Sequence, residues 1–191
     1  MPKLVIYTDG SCEPNPGPGG WAALLQYTNN GKTISRRFSG HDCSTTNNRM
    51  EIMAVLAVLR RLKQPCELTI YSDSQYVVNS IGNWRDGKPV KNQYGWMVRW
   101  HQCGWIRPAT KTKIYEPRNL KNSDLWKEIH QLVIRQTSIT MRWIRGHSGN
   151  KFNELCDVLA MEERVKAANW AIKLRQQIDV LQQNMSNNPH S

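Results

Sequence analysis

The sequence predicts an α/β domain with a mixed β-sheet, and three features support that assignment. The chain opens with short segments rich in Val, Ile, Tyr and Thr, which are typical of strands. Later segments alternate between strand-like runs and helical patterns, an order typical of mixed α/β folds. The chain has 191 residues, which is enough for one domain with a hydrophobic core and a short appendage.

The first third of the chain predicts three strands and an apolar helix. Residues 14–20 (PNPGPGG) predict a tight loop, and Asn29-Asn30-Gly31 predicts a hairpin turn. Thr46 or Asn47 can cap a helix that runs to about Leu62 and ends before Pro65. The predicted strands are Lys3–Thr8, Trp21–Tyr27 and Lys32–Phe38.

The rest of the chain predicts two more strands, several helices and a polar tail. A helical pattern runs from Asn150 to about Leu181, and the tail Asn184–Ser191 is expected to be disordered. The other predicted elements are strands at Glu67–Ser72 and Thr137–Ile144 and helices at Ser74–Ile81, Gln93–Cys103 and Ser123–Arg135.

Positive charge is concentrated in one part of the chain. The net charge is +11, and residues 83–121 alone hold nine basic and two acidic residues, which is +7. Such a cluster attracts a polyanion such as a nucleic acid, although a solvated basic surface without a partner has the same composition.

The cysteines and the N-terminus indicate a cellular compartment. The five cysteines are scattered and include no C-x-x-C pair, so we expect free thiols in a reducing environment. The N-terminus enters a strand directly, without the pattern of a signal peptide, and no apolar run reaches transmembrane length. We therefore expect a cytoplasmic protein that does not contact membranes.

Four carboxylates occupy unusual positions. Asp9 and Asp73 each follow an apolar strand, where they could converge at one sheet edge or simply cap a turn. Glu51 and Asp157 lie among apolar helical residues, and a buried carboxylate needs a partner. For Glu51 that partner could be Arg49 or Arg60, or a cation shared with the other acids. Oxygen ligands without His or Cys suit Mg²⁺ or Mn²⁺.

Six segments that contain these carboxylates resemble the bacterial type 1 ribonuclease H family, and the resemblance spans residues 3–161. The segments occur in register and in order, which a chance match to one motif would not give. They are Tyr7–Cys12 (YTDGSC), Asn15–Gly20 (NPGPGG), Thr45–Glu51 (TTNNRME), Ser72–Tyr76 (SDSQY), Arg145–Gly149 (RGHSG) and Asn153–Asp157 (NELCD).

The resemblance implies a ribonuclease H-like fold, with a five-stranded mixed sheet and helices on both faces. Beyond Met161 the match fades, and the residues themselves predict an extended C-terminal helix. It implies that Asp9 bridges two Mg²⁺ ions, with Asp157 on the side of the attacking water and Glu51 and Asp73 on the leaving-group side. His147 matches the family's mobile histidine, which is expected to assist proton transfer and product release. The implied reaction is endonucleolytic cleavage of the RNA strand of an RNA–DNA hybrid, giving 5′-phosphate and 3′-hydroxyl products, by a monomer.

Substrate contacts are implied by the same resemblance. Asn15, Asn48 and Gln75 match residues in the RNA minor groove, where the 2′-hydroxyls are displayed. Thr46 matches a residue that binds a phosphate of the DNA strand, although Thr46 and Asn48 could simply cap a helix. The remaining residues match the family's basic handle on the DNA strand: Trp96, Arg99, Lys111 and Lys113. For the tryptophans near them, including Trp100 and Trp105, packing in the core is the alternative.

The expected domains are a catalytic domain at residues 1–163 and a helical extension with a disordered tail at 164–191. Residues 96–121 form the handle, and residues 83–95 are an insertion that we expect to be a surface loop beside the DNA channel. The extension either packs on the domain or mediates self-association.

Two other functions would leave different sequences. A DNA-cutting enzyme of the same fold, such as an integrase, would not need residues 45–51 and 145–149. A non-catalytic nucleic-acid-binding module would be expected to lack one of the four acids, and none is missing.

Overall fold

A mixed sheet of seven strands forms the centre of the computed structural model, which describes residues 1–107 and 118–187. The strands are β1 (Lys3–Cys12), β2 (Gly17–Asn29), β3 (Lys32–Thr45), β4 (Glu67–Ser72), β5 (Gly82–Arg85), β6 (Lys88–Tyr94) and β9 (Ser138–Trp143), in the order β3-β2-β1-β4-β9-β5-β6. A separate two-stranded ladder pairs β7 (Ile106–Arg107) with β8 (Arg118–Asn119). The helices are α1 (Asn47–Leu59), α2 (Gln75–Ile81), α3 (Trp96–Gln102), α4 (Ser123–Val133) and α5 (Lys151–Asn187).

The three central strands run in the same direction. β1 pairs with β4, and β4 pairs with β9, in parallel registers that end at Thr8↔Ser72 and Ser72↔Trp143. The other pairings are antiparallel. The residues that follow these parallel ladders therefore meet at one edge of the sheet, which is where open α/β sheets place their functional groups.

Helices cover both faces of the sheet, as predicted. On one face, α1 is buried almost all round and joins α2 and α4 in the main hydrophobic core, which contains Ile52, Ile70 and Trp126. On the other face, α5 packs with Cys156 and Ala160 against Tyr7, Ala22 and Leu24. Burial of these apolar side chains is the main force that fixes each helix on the sheet.

The prediction of five strands is wrong because residues 83–95 form a β-hairpin rather than a surface loop. β5 and β6 extend the sheet by pairing β5 with β9, and Trp84 is only 4% exposed. The hairpin turns at Asp86-Gly87, where both residues have positive φ angles, as a two-residue type I′ turn requires. The turn lies next to Thr137, just before β9 begins. It is therefore near the N-terminal ends of the parallel strands, whereas the carboxylates lie at their C-terminal ends.

The hairpin also moves the start of the next helix. Gln93 and Tyr94 belong to β6, so α3 begins at Trp96 rather than at Gln93. Gly82 and Gly95 meet at the base of the hairpin, where a Cβ atom on Gly82 would lie 2.1 Å from the Gly95 nitrogen. Only glycine fits this approach, so the hairpin base directly fixes the start of α3.

The C-terminal helix continues beyond the surface of the domain. Its last buried residue is Ala167, and the described side chains from Ile172 to Gln183 are exposed. The extension therefore packs on the domain only near its start. The helix also includes Asn184–Asn187, where we predicted disorder, and the rest of the predicted tail lies outside the described residues.

None of the helices within the described ranges is long and apolar enough to cross a membrane.

Candidate active site

Three of the four predicted metal ligands meet at the edge where the parallel ladders end. Asp9, Glu51 and Asp73 each place a carboxylate oxygen within 4.8 Å of the others. Asp9 follows the last β1 residue paired with β4, although β1 itself continues to Cys12, and Asp73 follows the last residue of β4. Glu51 reaches the same point from the first turns of α1.

Close contact between β1 and α1 brings Asp9 and Glu51 together. A Cβ atom on Gly10 would lie 2.3 Å from the backbone nitrogen of Glu51, so any other residue there would push the helix away. The Gly10 amide also donates a hydrogen bond of 2.7 Å to Asp9 Oδ1, which fixes the direction of that carboxylate. The YTDGSC segment thus supplies both the Asp9 carboxylate and the space for its neighbour Glu51.

Glu51 is buried without the salt bridge that its sequence context left open. Arg49 pairs with Asp124 at 2.6 Å, and Arg60 pairs with Glu128 at 2.6 Å, so both arginines are engaged elsewhere. Glu51 is 5% exposed, and its Oε2 has no hydrogen-bond partner among the described residues. A buried, unpartnered carboxylate oxygen beside two other carboxylates is the environment expected of a cation ligand.

Burial and neighbouring carboxylates raise the pKa values of Asp9 and Glu51 in the absence of a cation. Burial, followed by the nearby charge of Asp73, raises the pKa of Asp9 to about 8. Burial, followed by the charge of Asp9, raises the pKa of Glu51 well above its ordinary value. A divalent cation would remove this repulsion, so the donor set fits a hard divalent metal ion.

Asp157 and His147 lie beside the three carboxylates rather than among them. Asp157 is on α5, and its charge contributes to the raised pKa values of Asp9 and Glu51. His147 lies in the loop before α5, where its Nδ1 is 3.6 Å from Asp157 Oδ2 and its side chain is 81% exposed. The predicted acids therefore form a group of three with Asp157 at its margin.

The predicted substrate-binding residues fall into two groups around this cluster. Near the start of α1, the Asn47 amide donates to Asn15 Oδ1 at 3.2 Å, while Asn48 is exposed. Thr46 is the N-cap of α1, since its hydroxyl oxygen accepts from the Arg49 amide at 3.4 Å. The capping role considered for Thr46 is thus present, and it leaves this exposed residue able to contact a ligand as well.

The second group lies on α2 and α3. Gln75 is the exposed first residue of α2, and Arg99 is exposed on α3. Trp96 is 49% exposed, with its ring 6.4 Å from that of Tyr76. Packing against the core holds for the two other handle tryptophans, Trp100 and Trp105. Lys111 and Lys113 lie outside the described residues.

Our reading of the sequence assigned no role to Asn153, which the structure places against the cluster. Its Nδ2 donates a hydrogen bond of 3.3 Å to Asp73 Oδ2. Asn153 lies one helical turn before Asp157, a predicted metal ligand, and that spacing was the available signal.

Comparison with known proteins gives consistent matches. The RNase H family model matches residues 1–165. Ribonuclease H of Chlorobium phaeobacteroides (strain BS1) is 44% identical over 160 residues, which cover 84% of this chain and 94% of that protein. Ribonuclease H of Oleidesulfovibrio alaskensis is also 44% identical, over 84% of this chain and 89% of that protein.

Solved structures agree with this assignment. The crystal structure of LC9-RNase H1, a type 1 RNase H with the type 2 active-site motif, superposes with a TM-score of 0.68 and 27% identity, covering 87% of this chain and 74% of that one. LC11-RNase H1 in complex with RNA/DNA hybrid shares the fold, with a TM-score of 0.53 and 20% identity over 86% of this chain and 98% of that one. The chain therefore belongs to the ribonuclease H family and is a hydrolase of that class.

Proposed function

We propose that this ribonuclease H cuts the RNA strand of RNA–DNA hybrids internally, with a metal-dependent centre at Asp9, Glu51, Asp73 and Asp157. The observation that carries the proposal is the group of three carboxylates within 4.8 Å, with a buried Glu51 oxygen that has no partner in the described structure. The family relatives are named for ribonuclease H activity, and a solved structure of the same fold is described in complex with RNA/DNA hybrid.

The four acids would hold two Mg²⁺ ions, or Mn²⁺ in their place, and the bound metal would supply an activated water and stabilise the departing 3′ oxygen. Asp9 and Asp157 would serve the attacking water, and Asp9, Glu51 and Asp73 would serve the leaving group. The products would then be a 5′-phosphate and a 3′-hydroxyl, without a covalent enzyme intermediate.

His147 would carry a proton between the site and solvent. Its exposed ring, 3.6 Å from Asp157, can exchange protons with water while it remains next to a ligand on the proposed water side. The backbone at His147 is left-handed, with φ of 51°, which is uncommon for a non-glycine residue.

Substrate selection would come from the two groups of residues around the cluster. We propose that Asn15, Asn48 and Gln75 contact the RNA minor groove and that Thr46 binds a DNA phosphate. On the handle, the side chains proposed for the DNA strand are Trp96, Arg99, Lys111 and Lys113. Exposure of Asn48, Gln75 and Arg99 leaves these polar groups free to contact a nucleic acid.

The domain limits and the setting of the enzyme are also proposals. We place the catalytic domain at residues 1–163 and the helical extension at 164–191. All the proposed catalytic groups come from one chain, so a monomer would suffice. The free cysteines fit the reducing conditions of the cytoplasm, where we expect the enzyme to act.

A panel of substrates tests the proposed function. The full chain is incubated with labelled RNA–DNA hybrid, duplex RNA and duplex DNA, each with Mg²⁺ or with EDTA. We expect internal cuts in the RNA of the hybrid alone, only with Mg²⁺, and 5′-phosphate ends on the products. Equal cleavage of duplex DNA, or cleavage in EDTA, would contradict the proposal.

A further inference from the structure

We infer that Asn153 is a positioning residue of the metal centre, which holds the Asp73 carboxylate in the orientation that binds the cation. This inference rests on the proposed metal role of Asp73. It concerns an uncharged side chain that acts through Asp73, so its role is distinct from that of the four acids.

The first observation is the cost of keeping this amide where it is. Asn153 is 2% exposed, and its Oδ1 is buried without a hydrogen-bond partner among the described residues. Burying an unpaired amide oxygen destabilises a protein, whereas an apolar residue of similar size would avoid that cost. The retention of a polar side chain here is explained if its donor has a task.

The second observation is what the donor does. Asn153 Nδ2 is 3.3 Å from Asp73 Oδ2 and donates a hydrogen bond to it. An amide donor restricts the rotation of the carboxylate and so keeps it in one orientation. Unlike a lysine or arginine, it does so without adding a positive charge that would repel the cation.

The third observation is that Asp73 is held from several sides. A Cβ atom on Gly146 would lie 2.8 Å from Asp73 Oδ2, so the loop backbone closes on the same oxygen. The Trp143 ring nitrogen donates to the backbone oxygen of Asp73 at 3.0 Å. Trp143 thus fixes the backbone of Asp73, and Gly146 lies against one of its carboxylate oxygens. The hydrogen bond from Asn153 then sets the direction of the carboxylate.

Asn153 belongs to a long helix whose start is capped. Asn150 Oδ1 accepts hydrogen bonds from the Phe152 and Asn153 amides, at 3.1 and 3.2 Å, and so caps α5. Asn153 therefore sits in the first turn of a capped helix that also carries Asp157 one turn later. Ligand and positioning residue share one rigid element, which is how precise metal sites are supported.

The test measures Mn²⁺ binding to the full chain without nucleic acid, by electron paramagnetic resonance of free Mn²⁺. Asn153→Leu removes the donor and the unpaired acceptor while retaining most of the volume, and Asn153→Ala is a second variant in case leucine does not fit. Asn150→Ala is the matched control, because it weakens the helix start without removing the bond to Asp73. Asp73→Asn shows the loss expected when the ligand itself is absent.

We expect Asn153→Leu and Asn153→Ala to weaken Mn²⁺ binding by about 10–100-fold, the range for residues that orient metal ligands. Asn150→Ala should lower the thermal stability and leave Mn²⁺ affinity within about twofold, a change too small to reflect a lost orienting bond. A folded Asn153 variant with wild-type Mn²⁺ affinity would overturn the inference, as would a loss no greater than that of Asn150→Ala.

The same experiment separates the inference from the proposed function. If the wild-type chain binds Mn²⁺ and Asn153→Leu does not, Asn153 positions the metal ligand even if no hybrid is cut. If the wild-type chain cuts hybrid in Mg²⁺ and both Asn153 variants bind Mn²⁺ normally, the proposed function stands and the inference fails.

Discussion

At the scale of single residues, the site is an arrangement of carboxylates that is unfavourable until a cation binds. Asp9 and Glu51 are both buried, and burial raises the pKa of each. The charge of Asp73 raises the pKa of Asp9 further, and the charge of Asp9 raises that of Glu51. The hydrogen bond from Gly10 to Asp9 opposes this effect but is a smaller contribution than burial. The metal-free protein therefore holds a cluster that costs stability when it is ionised.

This cost predicts a specific pH dependence for Asp9→Asn. The pKa of Asp9 is raised from its usual 3.8 to about 8 in the folded protein, so folding favours the protonated acid. The stabilising contribution is complete below about pH 4 and is lost as the pH rises through about 8. Without metal, Asp9→Asn should therefore raise the free energy of unfolding by at least about 2 kcal/mol relative to wild type at pH 8, and by little at pH 4.

Thermal or urea unfolding in EDTA at both pH values measures this difference. Asp179→Asn, which removes an exposed acid on α5, is the control and should change little at either pH. A constant difference in stability between Asp9→Asn and wild type from pH 4 to pH 8 would show that Asp9 is ionised in the fold without penalty.

At the scale of elements, the hairpin of β5 and β6 is an integral part of the sheet rather than a surface addition. Trp84 lies in the main core, its ring nitrogen donates to the Ile81 oxygen at 2.8 Å, and its ring meets that of His130 edge-on. Asn83 Oδ1 also accepts a hydrogen bond of 2.8 Å from the Met141 amide. The segment that we expected to be a surface loop thus anchors β9 and the start of α3.

We predict that Trp84→Ala destabilises the protein by about 3–5 kcal/mol, since it removes a large buried aromatic side chain. Urea denaturation of the metal-free protein measures the change. Lys88→Ala, on the exposed edge strand of the same hairpin, should stay within about 0.5 kcal/mol of wild type. Equal stability of the two variants would mean that the hairpin does not belong to the core.

The elements also show how far sequence patterns could be interpreted. The apolar run around Glu51 predicted a buried helix that contains one unusual acid. A helix that is apolar on every face can be recognised from its own sequence alone. The Asp86-Gly87 dipeptide is a strong hairpin signal that we did not use, whereas Pro89 and the nearby lysines are uncommon in central strands. Those residues suit β6 because it is the outermost strand, and its place beside β9 comes from contacts distant in sequence.

The site itself was predictable where a motif named the residue and less so where geometry decides. The segments containing Asp9, Glu51 and Asp73 identified three carboxylates that the fold brings together. The margin position of Asp157 and the bond from Asn153 to Asp73 depend on how α5 crosses the sheet. The close approach of α5 to β2 needs a glycine at position 20, where a Cβ atom would lie 2.2 Å from the Ala160 oxygen. The sequence around Gly20 does not show which helix packs against it.

At the scale of the whole molecule, the basic segment 83–121 is the surface that we expect to bind a nucleic acid. Within the described part of that segment, Lys91 and Arg99 are exposed on consecutive elements, β6 and α3. The hairpin turn, with Arg85 and Lys88, lies at the sheet edge opposite the carboxylates. We therefore expect the hybrid to contact the α3 side of the segment more than the turn.

Neutralising four basic residues of this segment should flatten the salt dependence of hybrid binding. Each lost phosphate contact removes about 0.7–0.9 from the slope of log K against log salt. The four substitutions to alanine are at Lys91, Arg99, Lys111 and Lys113. Turnover at saturating hybrid should change little, because these contacts are the same in the ground and transition states.

Binding titrations at several salt concentrations give the slopes. A control variant neutralises four basic residues away from the segment, on β3 and after α1, and should leave the slope nearly unchanged: Lys32, Arg36, Arg37 and Lys63. Equal slopes for the two variants would show that the charge of residues 83–121 is only a solvated surface.

The central claim is that the carboxylate cluster is a metal centre that acts on bound hybrid, and Asp73→Asn tests it most directly. The measurement pairs single-turnover cleavage in Mg²⁺ with equilibrium binding of the same labelled hybrid, using Asp86→Asn on the hairpin turn as the control. We predict that Asp73→Asn lowers the cleavage rate by more than about 10³-fold, because a metal ligand stabilises the transition state. Hybrid affinity should stay within about threefold of wild type, because phosphate contacts dominate it. Cleavage by Asp73→Asn at a rate near that of wild type would contradict the account.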